Sequence, residues 1–322
     1  MLNTVIIGLL GLVIAGTGIV LISFIVEAMR PRPVTPIRLL WAPNIPIQYV
    51  SVDCTRLRYI KAGEGPALVL LHTLRTQLDL FEKVVPELSK RFTVYALDYP
   101  GHGYSEIPPA KYDAAFFAGA VEGFLEALDL RDVTLAGVSI GGSISLILAA
   151  RNNPRVSRVV AINPYDYAKG RGILRSSLLA RFIIGLSSIP VLGETVMRLR
   201  TFFVMKAVLE GGVSNPRHIP PELLKEMYLT GNRSGHYRAF INLLRNAQTW
   251  ETAAKGYSKI RIPVLLLWGD QDWSRPDERE RDRQIVPGVR MVSIKDGGHF
   301  LPLDRPDAVI EHLLAFQAPS LQ

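Results

Sequence analysis

Short apolar runs alternate with amphipathic helical patterns through most of the chain, and this alternation limits the fold more than any other feature. The apolar runs are ALVLL at 67–71, FTVYAL at 92–97, VTLAGV at 133–138, VSRVVAI at 156–162, VLLLW at 264–268 and VRMVSI at 289–294. The helical patterns lie near 77–89, 114–128, 140–151, 276–285 and 305–316. Continuous apolar strands that alternate with helices are typical of a parallel sheet covered on both faces. We therefore predict an α/β fold with a mostly parallel sheet, preceded by an antiparallel hairpin near 48–63.

The alternation stops between Asn163 and Trp250, where the sequence instead predicts several helices with glycines and prolines at their ends. This interval holds twelve Lys or Arg against five Asp or Glu, which accounts for nearly the whole net charge of +8. We predict a helical lid over 163–250, inserted between a first core segment at 47–162 and a second at 251–322. The basic excess is either an ordinary solvated face or a surface for acidic lipid or an anionic substrate group.

The N-terminal segment is uncharged from Val5 to Val26, a run of 22 residues. As a helix this run would span roughly 33 Å, which matches a bilayer core of about 30 Å. A cleaved signal peptide would carry basic residues before a shorter apolar core, and a helix in a soluble domain usually keeps a polar face. We therefore predict a transmembrane anchor over 1–29. An extended linker with five prolines follows at 30–46, and we expect it to make few contacts with the core.

The flanks of the apolar segment carry unequal charge. Arg30, Arg32 and Arg38 follow the segment, and no basic side chain precedes it. Basic residues beside a membrane span favour the cytoplasmic side. The sequence thus predicts a single-pass membrane protein whose body lies in the cytoplasm.

Composition excludes several kinds of site. Cys54 is the one cysteine, so the chain forms no internal disulfide and offers no cluster of thiolates to zinc. Of the 322 residues, 48% are hydrophobic and 20% are charged, which is enough apolar side chain for a large core. The moderate positive charge indicates acidic surfaces or anionic ligands as partners. We expect no nucleic-acid partner, no metal and no organic cofactor.

Ser139 lies in the sequence GVSIGG at 137–142, between a predicted strand and a predicted helix. This strand–Gly-x-Ser-x-Gly–helix pattern is typical of a nucleophile elbow, a turn so sharp that side chains at Gly137 and Gly141 would collide with neighbouring elements. The turn would present Oγ at the carboxyl edge of the sheet, in front of the positive end of the helix. The pattern favours a nucleophilic serine over a structural one.

A nucleophilic serine needs a base that accepts its proton and an acid that orients the base. His299 lies in the glycine-rich turn KDGGHF, after a predicted strand and before the last helix. Asp270 and Asp272 directly follow an apolar strand, and either carboxylate could orient His299. The order Ser, Asp, His is the one expected for a sheet of this kind. Two other histidines near the predicted sheet edge, His72 and His102, are interpreted as structural. The remaining three are interpreted as surface residues: His218, His236 and His312.

The chain after the predicted linker resembles the α/β-hydrolase fold family, in its lidded esterase and epoxide-hydrolase-like branch. The motifs that carry the resemblance are LLH at 70–72, LDYPGHGYS at 97–105, GVSIGG at 137–142, WGDQD at 268–272 and GGHF at 297–300. The resemblance implies that Asp272, the last residue of a Trp-Gly-x-x-Asp turn, is the acid and that His299 is the base. It also implies an oxyanion hole formed by the amides of Ile140 and Leu74, with Thr73 as the alternative to Leu74.

Two departures from the family pattern bear on the chemistry. Relatives that open epoxides or remove halides carry aspartate at the elbow, whereas this chain has Ser139. The family usually has His-Gly after the third strand, whereas this chain reads His72-Thr73-Leu74-Arg75. The first departure argues against epoxide and halide chemistry, and the second bears on how well an oxyanion is held.

The residues and the resemblance together predict a membrane-anchored serine hydrolase that cleaves a carboxylic ester with an apolar acyl chain through an acyl-enzyme. The same residues would also serve hydrolysis of a C–C bond or perhydrolysis. A different class of function, a ligand-binding or scaffolding protein with little turnover, is supported only by the altered His-Thr-Leu-Arg loop.

Overall fold

In the computed structural model, which describes residues 2–317, eight strands form one sheet in the order β1-β2-β4-β3-β5-β6-β7-β8. The strands are β1 (Ile47–Val52), β2 (Thr55–Ala62), β3 (Ala67–Leu71), β4 (Thr93–Leu97), β5 (Val133–Val138), β6 (Val156–Ile162), β7 (Val264–Gly269) and β8 (Arg290–Ile294). β1 pairs antiparallel with β2, and β2 pairs antiparallel with β4. The other neighbouring strands are all parallel. The predicted α/β fold, with a mostly parallel sheet and a leading hairpin, is confirmed.

The strand order reverses beside β3. The chain places β4 on one side of β3 and then crosses to β5 on the other side. In open sheets of this kind, ligands bind outside the carboxyl ends of the strands at such a switch point. Ser139 is the first residue beyond the carboxyl end of β5, so it lies at this point.

The central strands are deeply buried and the helices flank them. β5 and β7 are buried at every residue, as continuous apolar runs inside a parallel sheet predict. The helix predicted near 77–89 is instead a 3₁₀ turn at Leu78–Phe81 followed by one short α-helix, because Pro86 lacks the N–H that a continuous helix would use. The flanking helices are α2 (Val85–Leu88), α3 (Ala114–Ala127), α4 (Ile140–Ala150), α11 (Pro276–Ile285), α12 (Leu301–Asp304) and α13 (Pro306–Gln317).

Between β6 and β7 the chain forms a run of helices, and we call residues 163–254 the insert. Within the described chain its α-helices are α5 (Leu178–Leu186), α6 (Leu192–Arg198), α7 (Phe202–Glu210), α8 (Pro221–Gly231), α9 (His236–Arg245) and α10 (Gln248–Ala254). Side chains at Ser177 and Thr201 cap α5 and α7 by accepting a hydrogen bond from the amide three residues later. α7 packs against α5 and α8, and α6 packs against α9.

The N-terminal helix α1 (Leu2–Ala28) is long and apolar enough to cross a membrane, by its length and composition. A signal sequence near an N-terminus shares these two properties. Most of the side chains of α1 are exposed, so the helix is not part of the core of the body.

The carboxyl end of α1, unlike the rest of the helix, packs against the insert. Ser23 and Glu27 are buried there, where α1 contacts α6. The Glu27 carboxylate pairs with Arg200 at 2.7 Å and with Arg30 at 3.1 Å. It also accepts a hydrogen bond from the Gly235 amide at 2.8 Å. These buried contacts make the end of α1 a part of the folded body.

Residues 30–46 are extended, as their prolines predict, but they are packed on the body. Leu39 is buried, and Trp41 donates a hydrogen bond from Nε1 to Asp79 Oδ1 at 2.8 Å. The expectation that this segment makes few contacts with the core is therefore wrong. The burial of a leucine and part of a tryptophan offsets part of the entropy that the chain loses by ordering there.

The contacts of Glu27 predict how far the chain tolerates truncation. A chain that lacks residues 1–29 should be less stable than one that lacks residues 1–19, because the longer deletion leaves buried Arg200 without its carboxylate. Removal of one partner of a buried ion pair lowers the free energy of unfolding by roughly 3–5 kcal/mol. Thermal unfolding of the two purified chains measures the difference. Glu27→Gln in the shorter deletion should reproduce the loss, and equal melting temperatures for all three chains would contradict this account.

Candidate active site

Ser139 occupies a sharp turn between β5 and α4, with a φ of 58° and a ψ of −117°. A positive φ is uncommon for a residue with a side chain and persists only where its surroundings enforce it. A Cβ at Gly137 would lie 2.1 Å from the Gly141 carbonyl carbon, and one at Gly141 would lie 2.2 Å from the Leu71 carbonyl oxygen. Glycine is therefore required at both positions, and the strand–turn–helix geometry predicted for GVSIGG is present.

His299 is buried in the loop between β8 and α12, at the same carboxyl edge of the sheet. Asn163, the first residue beyond β6, donates from Nδ2 to the carbonyls of Gly298 and His299, each at 3.0 Å. Its Oδ1 accepts a hydrogen bond from the Gly269 amide at 2.8 Å. One amide side chain thus joins the ends of β6 and β7 to the loop that carries His299.

The Asp272 carboxylate orients His299. Asp272 Oδ1 lies 2.5 Å from His299 Nδ1, and Oδ2 accepts a hydrogen bond from the Ser274 amide at 2.7 Å. Burial favours the neutral carboxyl, but the charge of His299 and the hydrogen bonds from His299 and Ser274 outweigh it and lower the pKa of Asp272. Asp272 is therefore ionised at neutral pH and holds a proton of His299 on Nδ1.

Asp270, the alternative acid, is exposed. Its Oδ1 accepts a hydrogen bond from the Gly297 amide at 3.2 Å, and its own amide donates to the Ile294 carbonyl at 3.0 Å. These bonds brace the turn after β7 against the loop of His299, while the ring nitrogen is bonded by Asp272. The geometry favours Asp272 over Asp270 as the partner of the imidazole.

Ser139 Oγ and His299 Nε2 are buried and have no hydrogen-bond partner among the residues that the structure describes. Buried polar atoms are usually paired, since an unpaired one costs about 1–3 kcal/mol. Among the three residues predicted from sequence, Asp272 and His299 are bonded to each other. Ser139 lies at the same sheet edge with its hydroxyl unbonded.

Trp273 stacks on the His299 ring, a contact that the sequence analysis missed. The ring centroids are 3.8 Å apart and the planes differ by 14°. The indole Nε1 donates to the Gly211 carbonyl of the insert at 2.8 Å, which fixes the indole against the imidazole. The stacked indole therefore restricts the orientation of the imidazole ring. The sequence signal for this role is only that Trp273 directly follows Asp272.

The two backbone amides predicted to hold an oxyanion lie in the elbow and in the loop after β3. The amides of Ile140 and Leu74 make no hydrogen bond within the described chain, and Ile140 begins α4, where the first N–H groups have no helical partner. The Thr73 amide, in contrast, donates to Thr76 Oγ1 at 3.2 Å. The hydrogen-bond pattern therefore favours Leu74 over Thr73 as a second donor. The Thr73 hydroxyl is also buried and without a partner in the described residues.

His72 supports the loop that carries Leu74. Its Nε2 accepts a hydrogen bond from the Tyr99 amide at 3.2 Å, and its Nδ1 lies 2.7 Å from the Thr73 carbonyl. Burial lowers the pKa of His72 to about 3, so the ring is neutral and donates from Nδ1 to that carbonyl. His72 thus has the structural role that the sequence analysis gave it.

His236, interpreted from sequence as a surface residue, is buried at the start of α9. Its ring centroid lies 6.2 Å from that of His102, and burial together with the charges of Arg75 and Arg200 lowers the pKa of His236 well below its usual value. The surface interpretation is wrong because the insert packs onto the sheet edge and covers this end of α9. Within the described residues no His, Cys, Asp or Glu cluster is arranged to hold a metal ion.

Comparisons with known proteins concern the family and the fold of the chain. A family model described as the alpha/beta hydrolase fold matches residues 66–202 and 213–306. An uncharacterized protein of Mycobacterium tuberculosis is 27% identical over 296 residues, covering 88% of this chain and 83% of its own length. Carboxylesterase YbfK of Bacillus subtilis is 25% identical over 282 residues, covering 86% of this chain and 89% of its own length. The solved structure of epoxide hydrolase CorEH is similar with a TM-score of 0.74 at 23% identity, over 85% of this chain and 98% of its own.

The different contacts of Asp272 and Asp270 predict unequal effects of substitution. Asp272→Asn replaces the acceptor for His299 Nδ1–H with an amide that favours the wrong tautomer, so kcat should fall on the order of 10⁴-fold. Asp270→Asn keeps an oxygen that can accept from the Gly297 amide, and the loss should stay below about tenfold. Steady-state hydrolysis of p-nitrophenyl butyrate by the purified variants measures both losses. A loss at Asp270 equal to or larger than that at Asp272 would overturn the assignment.

Proposed function

The chain belongs to the alpha/beta hydrolase family, and from this premise we propose that it is a serine hydrolase that cleaves carboxylic esters. One observation carries the proposal. Ser139 projects from a strained turn with an unbonded hydroxyl, and His299 at the same sheet edge is fixed by Asp272 at 2.5 Å with its other nitrogen unbonded. A hydroxyl and a base with unbonded reacting atoms are what nucleophilic catalysis by serine requires.

In the proposed reaction, Ser139 Oγ attacks the ester carbonyl carbon while His299 Nε2 accepts the hydroxyl proton. Asp272 stabilises the imidazolium that forms, and the Ile140 and Leu74 amides donate to the oxyanion. His299 then gives its proton to the departing alcohol, which leaves an acyl ester on Ser139. Water attacks this ester with His299 again as base, and the carboxylic acid and free serine result.

The residue at the elbow supports ester chemistry over epoxide opening. The family resemblance implies aspartate at this position in enzymes that open epoxides, and this chain has Ser139. Relatives named a carboxylesterase and a soluble epoxide hydrolase match at 25% and 27% identity, so the choice between the two chemistries rests on Ser139.

The loop at 72–75 gives little support to the rival function, a ligand-binding or scaffolding protein with little turnover. The loop lacks the usual glycine, but the Leu74 amide still has no acceptor in the described chain and is available to a ligand. His72 holds the loop through the hydrogen bond that its Nε2 accepts from the Tyr99 amide. A loop built in this way keeps a second oxyanion donor, which supports an active enzyme.

We also propose that α1 anchors the enzyme in a membrane with the insert beside the bilayer. The apolar helix α1 ends in ion pairs with the insert, so the two cannot lie far apart. The insert exposes large apolar side chains, among them Leu178, Phe182 and Phe203 at 85%, 68% and 80% exposure. Exposed apolar side chains of this size mark contact with lipid or protein. An apolar ester in the bilayer would therefore meet the insert first.

Ser139→Ala removes the proposed nucleophile, and kcat for ester hydrolysis should fall about 10⁶-fold, leaving only the effects of binding and of the oxyanion donors. A series of p-nitrophenyl esters of increasing acyl length, assayed on the detergent-solubilised protein, measures the loss and the preferred chain. Ser145→Ala is the matched control, since this buried serine of α4 donates to the Gly141 carbonyl at 2.9 Å and takes no part in the reaction. Retention of most hydrolysis by Ser139→Ala would refute the mechanism.

The arginines after α1 predict the orientation of the body. Arg32 and Arg38 are exposed or partly exposed, whereas Arg30 is engaged by Glu27, so at least two cations flank the membrane segment freely. We propose a cytoplasmic body on this ground. Green fluorescent protein fused to the carboxyl end should fluoresce, and alkaline phosphatase fused there should be inactive. Strong phosphatase activity would reverse the orientation, and a mature protein that starts near Met29 would show that α1 is a cleaved signal.

A further inference from the structure

An apolar cavity of about 190 Å³ lies within the insert, bounded by α5, α6, α7 and α9. Its wall includes Ile184, Met197, Val204, Leu209 and Phe240. Apolar cavities of roughly 150 Å³ admit a molecule of the size of benzene. This cavity therefore has room for a short hydrocarbon chain.

Two charged side chains, Arg75 and Arg200, interrupt the apolar wall. Arg200 is fully bonded, since it pairs with Glu27 at 2.7 Å and donates to the carbonyls of Met197 and Gly231, each at 2.9 Å. Arg75 makes no hydrogen bond and no ion pair with any residue that the structure describes. Its guanidinium contacts the aromatic face of Phe240. The cavity thus contains one cation whose donors are all unused.

Arg75 is nevertheless held in place. Its guanidinium lies over the Phe240 ring, 5.1 Å from the centroid, and a Cβ at Gly231 would lie 3.2 Å from its Nε. Its backbone has a φ of 61°, in the left-handed region that residues with side chains adopt uncommonly. A cation held between a ring and a glycine differs from a mobile surface arginine, and this order reduces the entropy that binding would lose.

The charge around Arg75 is not balanced. Burial, together with the charges of Arg200 and Arg30, lowers the pKa of Arg75 to about 9, so the group stays protonated at neutral pH. The carboxylate of Glu27, which pairs with Arg200 in the same wall, is already shared by Arg30 and Arg200. Arg75 is partly buried and has no counter-ion among the described residues, so an anion that enters the cavity would find an unpaired guanidinium there.

Two walls of the cavity are connected to the proposed catalytic residues through neighbouring residues. Arg75 directly follows Leu74, whose amide is the proposed second oxyanion donor. On another wall, the Ile173 amide donates to the Tyr165 hydroxyl at 3.1 Å, and the Tyr165 ring lies 6.2 Å from the His299 ring. A ligand anchored at Arg75 would therefore lie beside the loop that carries the proposed oxyanion donor.

From these observations, and resting on the proposed function, we infer that the substrate is an amphiphilic anionic ester. Its apolar chain occupies the cavity, and its anionic group binds the Arg75 guanidinium. A carboxylate and a phosphate share the required chemistry, because each presents two oxygens to the two parallel N–H groups of a guanidinium. The same site would disfavour neutral esters, since these leave Arg75 unpaired.

Binding to the full-length Ser139→Ala protein tests this inference without hydrolysis. Hexanoate, hexyl phosphate and hexan-1-ol share one chain and differ in the head group, and each is titrated into the detergent-solubilised protein by isothermal titration calorimetry at pH 7. At least one of the two anions should bind more tightly than hexan-1-ol by about tenfold or more. The anion that binds more tightly shows whether the site prefers a carboxylate or a phosphate. If hexan-1-ol binds as tightly as both anions, the inference is wrong. Because this variant forms no acyl-enzyme, the result does not depend on whether the protein hydrolyses esters.

Substitution of Arg75 supplies the second test, in the same Ser139→Ala background. Arg75→Gln should abolish the preference for the anion, and Arg75→Lys should keep part of it, because lysine retains the charge but lacks the planar fork. Arg181→Gln, which alters an exposed arginine of α5, is the matched control and should keep the full preference. A folded Arg75→Gln protein with the unaltered preference would overturn the assignment. If Arg75→Gln does not fold, the Arg75→Lys protein decides. The assignment is overturned if that protein distinguishes hexanoate from hexyl phosphate as strongly as the protein with Arg75 does.

Discussion

Two stretches of backbone meet so closely at the carboxyl end of β5 that no side chain fits between them. Gly137 and Gly141 have no room for a Cβ, and Ser139 between them is forced to a positive φ. This contact sets the entry angle of α4 and leaves the Ile140 amide unbonded beside the serine hydroxyl. The loops after β6, β7 and β8 begin at the same edge, because the carboxyl ends of parallel strands lie at one edge of the sheet. Ser139 and the loop of His299 therefore lie at the same edge of the sheet.

The N-terminal helix and the insert form one charged and apolar unit above that edge. Glu27 at the end of α1 neutralises Arg200 in the wall of the cavity, while Arg75 on the loop of the proposed oxyanion donor stays unpaired. The apolar helix α1, the cavity and the loop of Leu74 are thus connected through a few side chains. On the proposed function, this arrangement favours a substrate that is both apolar and anionic. Arg198 and Arg200 of the insert are buried, so the basic excess there is only partly a solvated face.

Much of the fold could be predicted from sequence, as could the position of the three candidate site residues at one sheet edge, and the reason is local. Parallel strands are continuous apolar runs, and an elbow needs glycine two residues on either side of Ser139, so both leave a pattern in the chain. Trp273 and Asn163 leave no such pattern, because their contacts with the His299 loop join residues far apart in sequence. Arg75 is likewise ordinary in sequence, and only the folded structure shows that its donors are unused.

A fluorophosphonate reacts only with a serine that is activated as a nucleophile, so labelling tests the central claim most directly. Intact mass measurement and peptide mapping of the labelled protein give the number and position of the adducts. The account predicts one adduct per chain, on Ser139, and a large decrease in its rate of formation in His299→Ala, where Ser139 is still present. Failure of the folded protein to react, reaction at another serine, or an unchanged rate in His299→Ala would contradict it.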